Sequence, residues 1–191
     1  MAFYYDGRML EDLLEIKKRF NYNVIIETGT GSADSFEIFT TVFEKVYGCE
    51  LLYENYKNDY IKYQNSENYK IIPGDSVESL KLFMKDIEGS EFFLYLDAHG
   101  DASPVLDELQ VIMDHKRKPI ILIHDFDVNI QGWNFMKFYD KKLQKNVSLC
   151  YEYVKEKIDG IYGVDEYIYQ PATISYNPNK PGTAYFYPKN L

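Results

Sequence analysis

Two short stretches carry two of the chain's three histidines among a group of acids: Leu96-Asp97-Ala-His99-Gly-Asp101 and Ile123-His124-Asp125-Phe-Asp127. An imidazole, alone or oriented by a carboxylate, can take the proton from an alcohol hydroxyl that is otherwise a poor nucleophile. The same donors can hold a divalent cation such as Mg²⁺ or Mn²⁺, which positions neighbouring hydroxyls and lowers their pKa. A third stretch, Asn23-Val-Ile-Ile-Glu27-Thr-Gly29-Thr-Gly31-Ser-Ala33-Asp34-Ser-Phe, suits binding. Its β-favouring run ends in an acid and a tight glycine pair, so the backbone can turn sharply and let a ligand lie against it. The dinucleotide pattern Gly-x-Gly-x-x-Gly would require glycine where Asp34 stands. Asp34 and Glu27 would repel a pyrophosphate, so the loop fits a ligand with hydroxyls and a positive centre better.

The elements that must position these groups alternate along the chain. An amphipathic helix is predicted over 8–19, with Met9, Leu13 and Ile16 on one face and Leu10 and Leu14 beside them. Strand one is predicted over 23–27. A helix over 34–46 follows, capped by Asp34 or Ser35, with Phe36, Phe39, Phe43 and Val46 as its stripe. Strand two is read over 45–53, a helix over 55–66, strand three and its turn over 69–76, and a helix over 76–85 capped by Asp75 or Ser76. Strand four covers 91–97, a helix 103–115 with Pro104 in its first turn, and strand five 118–125. The tail contains helical segments over 132–158, with Trp133, Phe135 and Phe138 as an aromatic patch. A hairpin then joins 167–176 to 183–187. This is an α/β pattern, a doubly wound parallel sheet closed by an antiparallel hairpin. In such sheets ligands sit beyond the carboxyl ends of the strands, and an acid at the tip of strand two holds a ribose. Glu50 is preferred for that role over Glu54, because apolar residues flank it on both sides.

Glu27-Thr-Gly29-Thr-Gly31-Ser-Ala33 resembles the first motif of the class I S-adenosylmethionine-dependent methyltransferases, an acid followed by Gly-x-Gly-x-(Gly/Ala). The resemblance implies a Rossmann-like fold with seven strands in the order 3-2-1-4-5-7-6, covering residues 1–191 as a single methyltransferase domain. It implies S-adenosylmethionine as cofactor. Glu27, Gly29, Thr30, Gly31, Ser32 and Ala33 would face its methionine side, Glu50 its ribose, Asp75 and Ser76 its adenine, and Asp97 the transferred methyl. Strands one, four and five are neighbours in that order, so Asp97, His99, His124 and Asp125 would gather beside the glycine loop. His99 or His124 would be the base, and Asp125 would orient it or bind metal with Asp97 and His124. Leu96-Asp97-Ala-His99 with Ile123-His124-Asp125 further resembles the macrocin-type and polysaccharide-modifying sugar O-methyltransferases, which commonly have paired aspartates where this chain has His124-Asp125. That implies a sugar, glycan or other small-molecule acceptor. Two other classes fit parts of the sequence. Asp97-Ala-His99-Gly-Asp101 looks like the metal motif of arginase-type hydrolases, and a non-catalytic nucleotide-binding module would use the glycine loop alone.

Composition narrows the partners. The net charge is -9, from 30 acids against 21 Lys and Arg. The short run His115-Lys-Arg-Lys118 reads as a solvated helix end, so nucleic acid is not expected. No apolar run approaches the ~18 residues of a membrane span. Cys49 and Cys150 are too far apart in sequence for a ligand cluster and read as free thiols in a reducing compartment. The N-terminus lacks a signal-like pattern, which gives a cytoplasmic expectation. The 19 tyrosines offer faces that stack on sugar rings, or reflect abundance alone. The oligomeric state is left open.

Overall fold

A computed structural model describes residues 7–98, 103–129, 136–171 and 182–190. Its elements run α1 (Gly7–Phe20), β1 (Val24–Thr28), α2 (Asp34–Val42), β2 (Lys45–Glu50), α3 (Tyr53–Tyr63), β3 (Tyr69–Pro73), α4 (Ser76–Asp86), β4 (Phe92–Leu96), α5 (Val105–Asp114) and β5 (Ile120–Ile123). They continue with β6 (Lys137–Asp140), β7 (Lys145–Ser148), α6 (Tyr151–Tyr162), β8 (Tyr167–Pro171) and β9 (Ala184–Pro188). Seven strands form one sheet in the order β3-β2-β1-β4-β5-β9-β8. The first five pair in parallel. β9 pairs antiparallel with β5 and with β8. This is the expected order, with β8 and β9 as the sixth and seventh strands of the sheet.

The central strands are apolar runs because helices cover both faces. Val24, Ile26, Leu94, Ile121 and Ile123 face α4, α5 and α6. Ile25, Phe93, Tyr95, Ile120 and Leu122 face α1, α2 and α3. α1 buries Met9, Leu13, Ile16 and Phe20, whereas Leu14 points outward and is 43% exposed. The stripe is thus narrower than the sequence pattern implies.

Three expectations are corrected. The helix predicted over 34–46 ends at Val42, and Phe43 is already extended. The β-branched run Thr40-Thr41-Val42 weakens the helix there, and Val46 is buried as part of β2. Neither Asp34 nor Ser35 caps α2: Ala33 occupies that position in a left-handed conformation without a side-chain bond. Of the tail expected to contain helical segments over 132–158, the described residues 136–150 are not helical. Lys137–Asp140 and Lys145–Ser148 form a separate antiparallel hairpin, and the helix begins only at Tyr151. The hairpin turn is set by Asp140 Oδ1, which accepts from the amides of Lys142 and Leu143 at 2.7 and 2.9 Å. Trp133 and Phe135 lie outside the described residues.

Candidate functional site

The site is built where β1, β2, β4 and β5 end together. Backbone bonds extend the ladder past the strands: the Asp97 amide donates to the Thr28 carbonyl at 3.1 Å, and the His124 amide to the Leu96 carbonyl at 3.0 Å. The loop after β1 is tied down in the same way, with the amides of Gly29 and Thr30 both donating to the Cys49 carbonyl. Gly29 has φ +74°, and a Cβ there would stand 2.6 Å from the Asp97 carbonyl oxygen and from Ala98 Cα. Glycine is therefore what lets the β1 loop and the β4 loop touch. At Gly31, φ is +53° and a Cβ would meet nothing within 4 Å.

A cleft of about 710 Å³ opens above this loop. Gly29, Thr30, Gly31, Ser32, Asp34, Glu50, Asp75, Ser76 and Asp97 all line it. The lining holds four carboxylates and, among the described residues, no lysine or arginine. Glu50 is only 8% exposed. Its Oε2 accepts from the Gly31 amide at 2.8 Å and its Oε1 from the Leu52 amide at 2.9 Å. Each oxygen keeps a further acceptor site, so a diol can still be held. Asp75 caps α4, accepting from the amides of Val77 and Glu78 at 3.0 and 3.1 Å, while it also faces the cleft. The capping and lining roles anticipated for Asp75 thus coexist.

Glu27 and Ala33 are placed differently from expectation. Glu27 is expected to face the cofactor's methionine side, but it is fully buried beneath the loop and accepts from the Ser35 hydroxyl. It stands two residues beyond Ile25, and the alternation of β1 directs both side chains to the α2 side. Burial drives its pKa up to about 8; the Ser35 bond opposes this, and the charge of Asp97 adds to it. Ala33 is also fully buried, packed into the core against α2. Both residues support the loop from below and are not part of the cleft lining.

At the inner end of the cleft, Asp97 Oδ1 lies 2.8 Å from His124 Nδ1, and Asp125 Oδ1 lies 3.5 Å from the same nitrogen. A carboxylate only accepts, so the 2.8 Å bond puts a proton on Nδ1 and makes Nε2 the basic nitrogen of the neutral ring. Burial pulls the His124 pKa down, yet the charge and hydrogen bond of Asp97, aided by Asp125, outweigh it and leave the pKa raised. Asp125 has φ +53°, a conformation uncommon outside glycine. Its carbonyl accepts from the Met136 amide at 2.8 Å and the next amide, Phe126, donates to the Gly182 carbonyl, which fixes that turn.

One donor atom each from Asp97, His124 and Asp125 falls within 4.8 Å of the others. Ligands at right angles around Mg²⁺ stand about 3 Å apart, so the oxygen-rich donor set suits a divalent cation, and the three side chains would draw closer together to share one. His99 and Asp101 lie outside the described residues.

Glu108 was not anticipated. It is fully buried on α5, and burial raises its pKa to about 7, with the hydroxyls of Ser76 and Thr28 opposing the rise. Its signal was present in the sequence, because position 108 falls on the same helical stripe as Val105, Leu109 and Ile112. Cys49 also lines the cleft, and burial pushes its thiol up to about 12, which leaves it inert at neutral pH.

No family model and no curated protein matches the sequence, but solved structures share the fold. The O-methyltransferase from Bacillus cereus, in complex with S-adenosylhomocysteine, aligns over 96% of this chain and 80% of its own, with a TM-score of 0.61 at 13% identity. The methyltransferase domain of bacterial CtHen1 covers 94% of this chain and 96% of its own, with a TM-score of 0.57 at 12% identity. An rRNA methylase from Streptococcus thermophilus covers 87% of each chain, with a TM-score of 0.51 at 11% identity. Proteins of such different description share the architecture, so the fold does not select an acceptor. What the likeness does carry is the strand order and the terminal hairpin: this chain has the Rossmann-like methyltransferase fold.

Proposed function

We propose that this chain is an S-adenosylmethionine-dependent O-methyltransferase acting on a hydroxyl of a sugar, glycan or other small molecule, within one domain over residues 1–191. The observation that carries the reading is a continuity. An acid-lined cleft, with no lysine or arginine in its lining among the described residues, includes Asp97, and Asp97 is hydrogen-bonded to His124. A cleft of that charge suits a cofactor with a ribose, an ammonium and a sulfonium, and it disfavours a dinucleotide.

Each residue then has a task. Gly29 to Ser32 line the methionine side. Glu50 accepts from the ribose hydroxyls, and its two backbone bonds keep it aimed at them. Asp75 and Ser76 face the adenine edge, and Asp97 stands nearest the reacting centre. When bound, S-adenosylmethionine supplies an electrophilic methyl carbon on sulfur. His124 Nε2 would be the group that accepts the proton of the acceptor's hydroxyl. Asp97 holds the imidazole in the tautomer that leaves Nε2 basic. His99 remains a second candidate base.

The donor set of Asp97, His124 and Asp125 supports a metal-assisted version in which these three hold Mg²⁺ or Mn²⁺ beside the acceptor hydroxyls. No helix among the described residues is long and apolar enough to cross a membrane, in keeping with a cytoplasmic enzyme.

Calorimetric titration with S-adenosylhomocysteine, with and without Mg²⁺ or Mn²⁺, tests the reading. Binding in the range of about 1–100 μM supports it and turns the work to an acceptor screen. Stabilisation by Mn²⁺ with no nucleoside binding overturns it in favour of an arginase-type hydrolase. Nucleoside binding with no transfer to any hydroxyl acceptor favours a non-catalytic module.

A further inference from the structure

Beside His124 lies a second, smaller cavity, which shares Asp97 and Ala98 with the main cleft. The space open to a water's centre is about 10 Å³, the least volume that holds one water. Its polar wall consists of Glu108, Asp97, His124 and Ser103, and the rest is mostly aliphatic. Glu108 belongs to α5 and reaches this space from beneath the sheet's carboxyl edge. It is fully buried, and its carboxyl oxygens make no hydrogen bond of good geometry within the protein; the hydroxyls of Ser76 and Thr28 are near enough to favour its charge but do not saturate it. A buried carboxyl left in this state is destabilising. Buried polar atoms of this kind are normally satisfied by ordered water.

We infer that this cavity is a water site: one ordered water bonds the Glu108 carboxyl and links it to the Asp97–His124 pair, making Glu108 a positioning residue for that pair. Glu108 touches neither the cleft nor, on the reading above, any reacting atom. It acts by anchoring the water against which the pair is held. The other three polar wall residues give the water partners on more than one side, which is what a buried water requires. The inference rests on the reading of Asp97–His124 as the working pair, but the water site itself does not depend on which cofactor binds.

A high-resolution crystal structure of the unaltered chain is the first test. A water within hydrogen-bond distance of Glu108 and of Asp97 or His124 is expected, and a dry or collapsed cavity overturns the inference. The second test reads the imidazoles by long-range ¹⁵N–¹H correlation, with the His124 signals assigned from their loss in His124→Gln. Glu108→Gln keeps a hydrogen-bonding group and should preserve the His124 tautomer and its slowly exchanging Nδ1 proton. Glu108→Leu removes the anchor and should lose that proton signal while affinity for S-adenosylhomocysteine is unchanged. Unaltered His124 signals in a folded Glu108→Leu variant overturn the inference. If that variant does not fold, the crystal structure and Glu108→Gln decide. Failure of S-adenosylhomocysteine to bind the unaltered chain counts against the methyltransferase reading only, because the water and the imidazole signals are read without it.

Discussion

The carboxyl edge of the sheet has two halves that use the same side chains differently. At the β1–β2–β3 half, Glu50 and Asp75 are bonded to backbone amides of Gly31, Leu52, Val77 and Glu78. At the β4–β5 half, Asp97 and Asp125 face a titratable ring, His124. The first half is therefore an acceptor surface held in position by backbone amides. The imidazole changes charge near neutrality, so the second half is the part able to move a proton. On the proposed function the division gives recognition to one half and chemistry to the other, and substitutions can break it.

The largest effect is expected at His124. His124→Gln should lower turnover by about 10²–10⁴-fold and leave S-adenosylhomocysteine affinity intact, measured by single-turnover methyl transfer beside calorimetry. Equal losses in both would mean that the halves are not separate. Glu50→Ala should do the reverse, weakening binding by about 10–100-fold, the worth of one charge-assisted bonding group, with turnover at saturation largely kept. It also strips the Gly31 amide of its partner, so Glu50→Gln, which keeps an acceptor, should lose less.

Gly29 is where the halves meet. Gly29→Ala should cost about 2–4 kcal/mol of stability, since the new methyl falls on the Asp97–Ala98 backbone and φ is positive. Gly31→Ala meets open space and should cost only about 1 kcal/mol, from its backbone conformation alone. Thermal or urea unfolding of the pair measures the difference. Equal losses would show that the contact between the two loops carries no weight.

The binding half was more legible in the sequence than the chemical one. A glycine pair after an apolar run is a local signal, and Glu50 betrays itself by interrupting apolar neighbours. The parallel body was legible for the same reason, because strands buried on both faces read as unbroken apolar runs. The β6–β7 hairpin was not, since Lys137-Phe-Tyr-Asp140 alternates for only four residues and offers too few periods to tell strand from helix. The depth of Glu27 was legible in principle from the two-residue period it shares with Ile25, but the adjoining glycine loop drew it toward the crevice. The Asp97–His124 bond joins residues from different strands, so it follows from strand order and not from any local pattern.

The remaining prediction concerns pH, and it tests the division from below. Glu27, Glu108 and His124 all have raised pKa values in the fold. Between the unfolded and the folded pKa the native state holds more protons than the unfolded chain, so stability is greatest below the unfolded value and is lost as pH rises through the folded one. For Glu27 that window runs from 4.5 to about 8, and for Glu108 from 4.5 to about 7. For His124 it begins at 6.5 and extends upward. Chemical denaturation should therefore show stability falling from pH 5 to pH 8, with each group contributing at most about 1.4 kcal/mol per pH unit within its window. Glu27→Gln keeps the bond from Ser35 but cannot ionise, so it should flatten the fall and gain on the unaltered chain most clearly near pH 8. If Glu27→Gln loses stability as steeply as the unaltered chain between pH 5 and pH 8, the pH-sensitive acid is not Glu27.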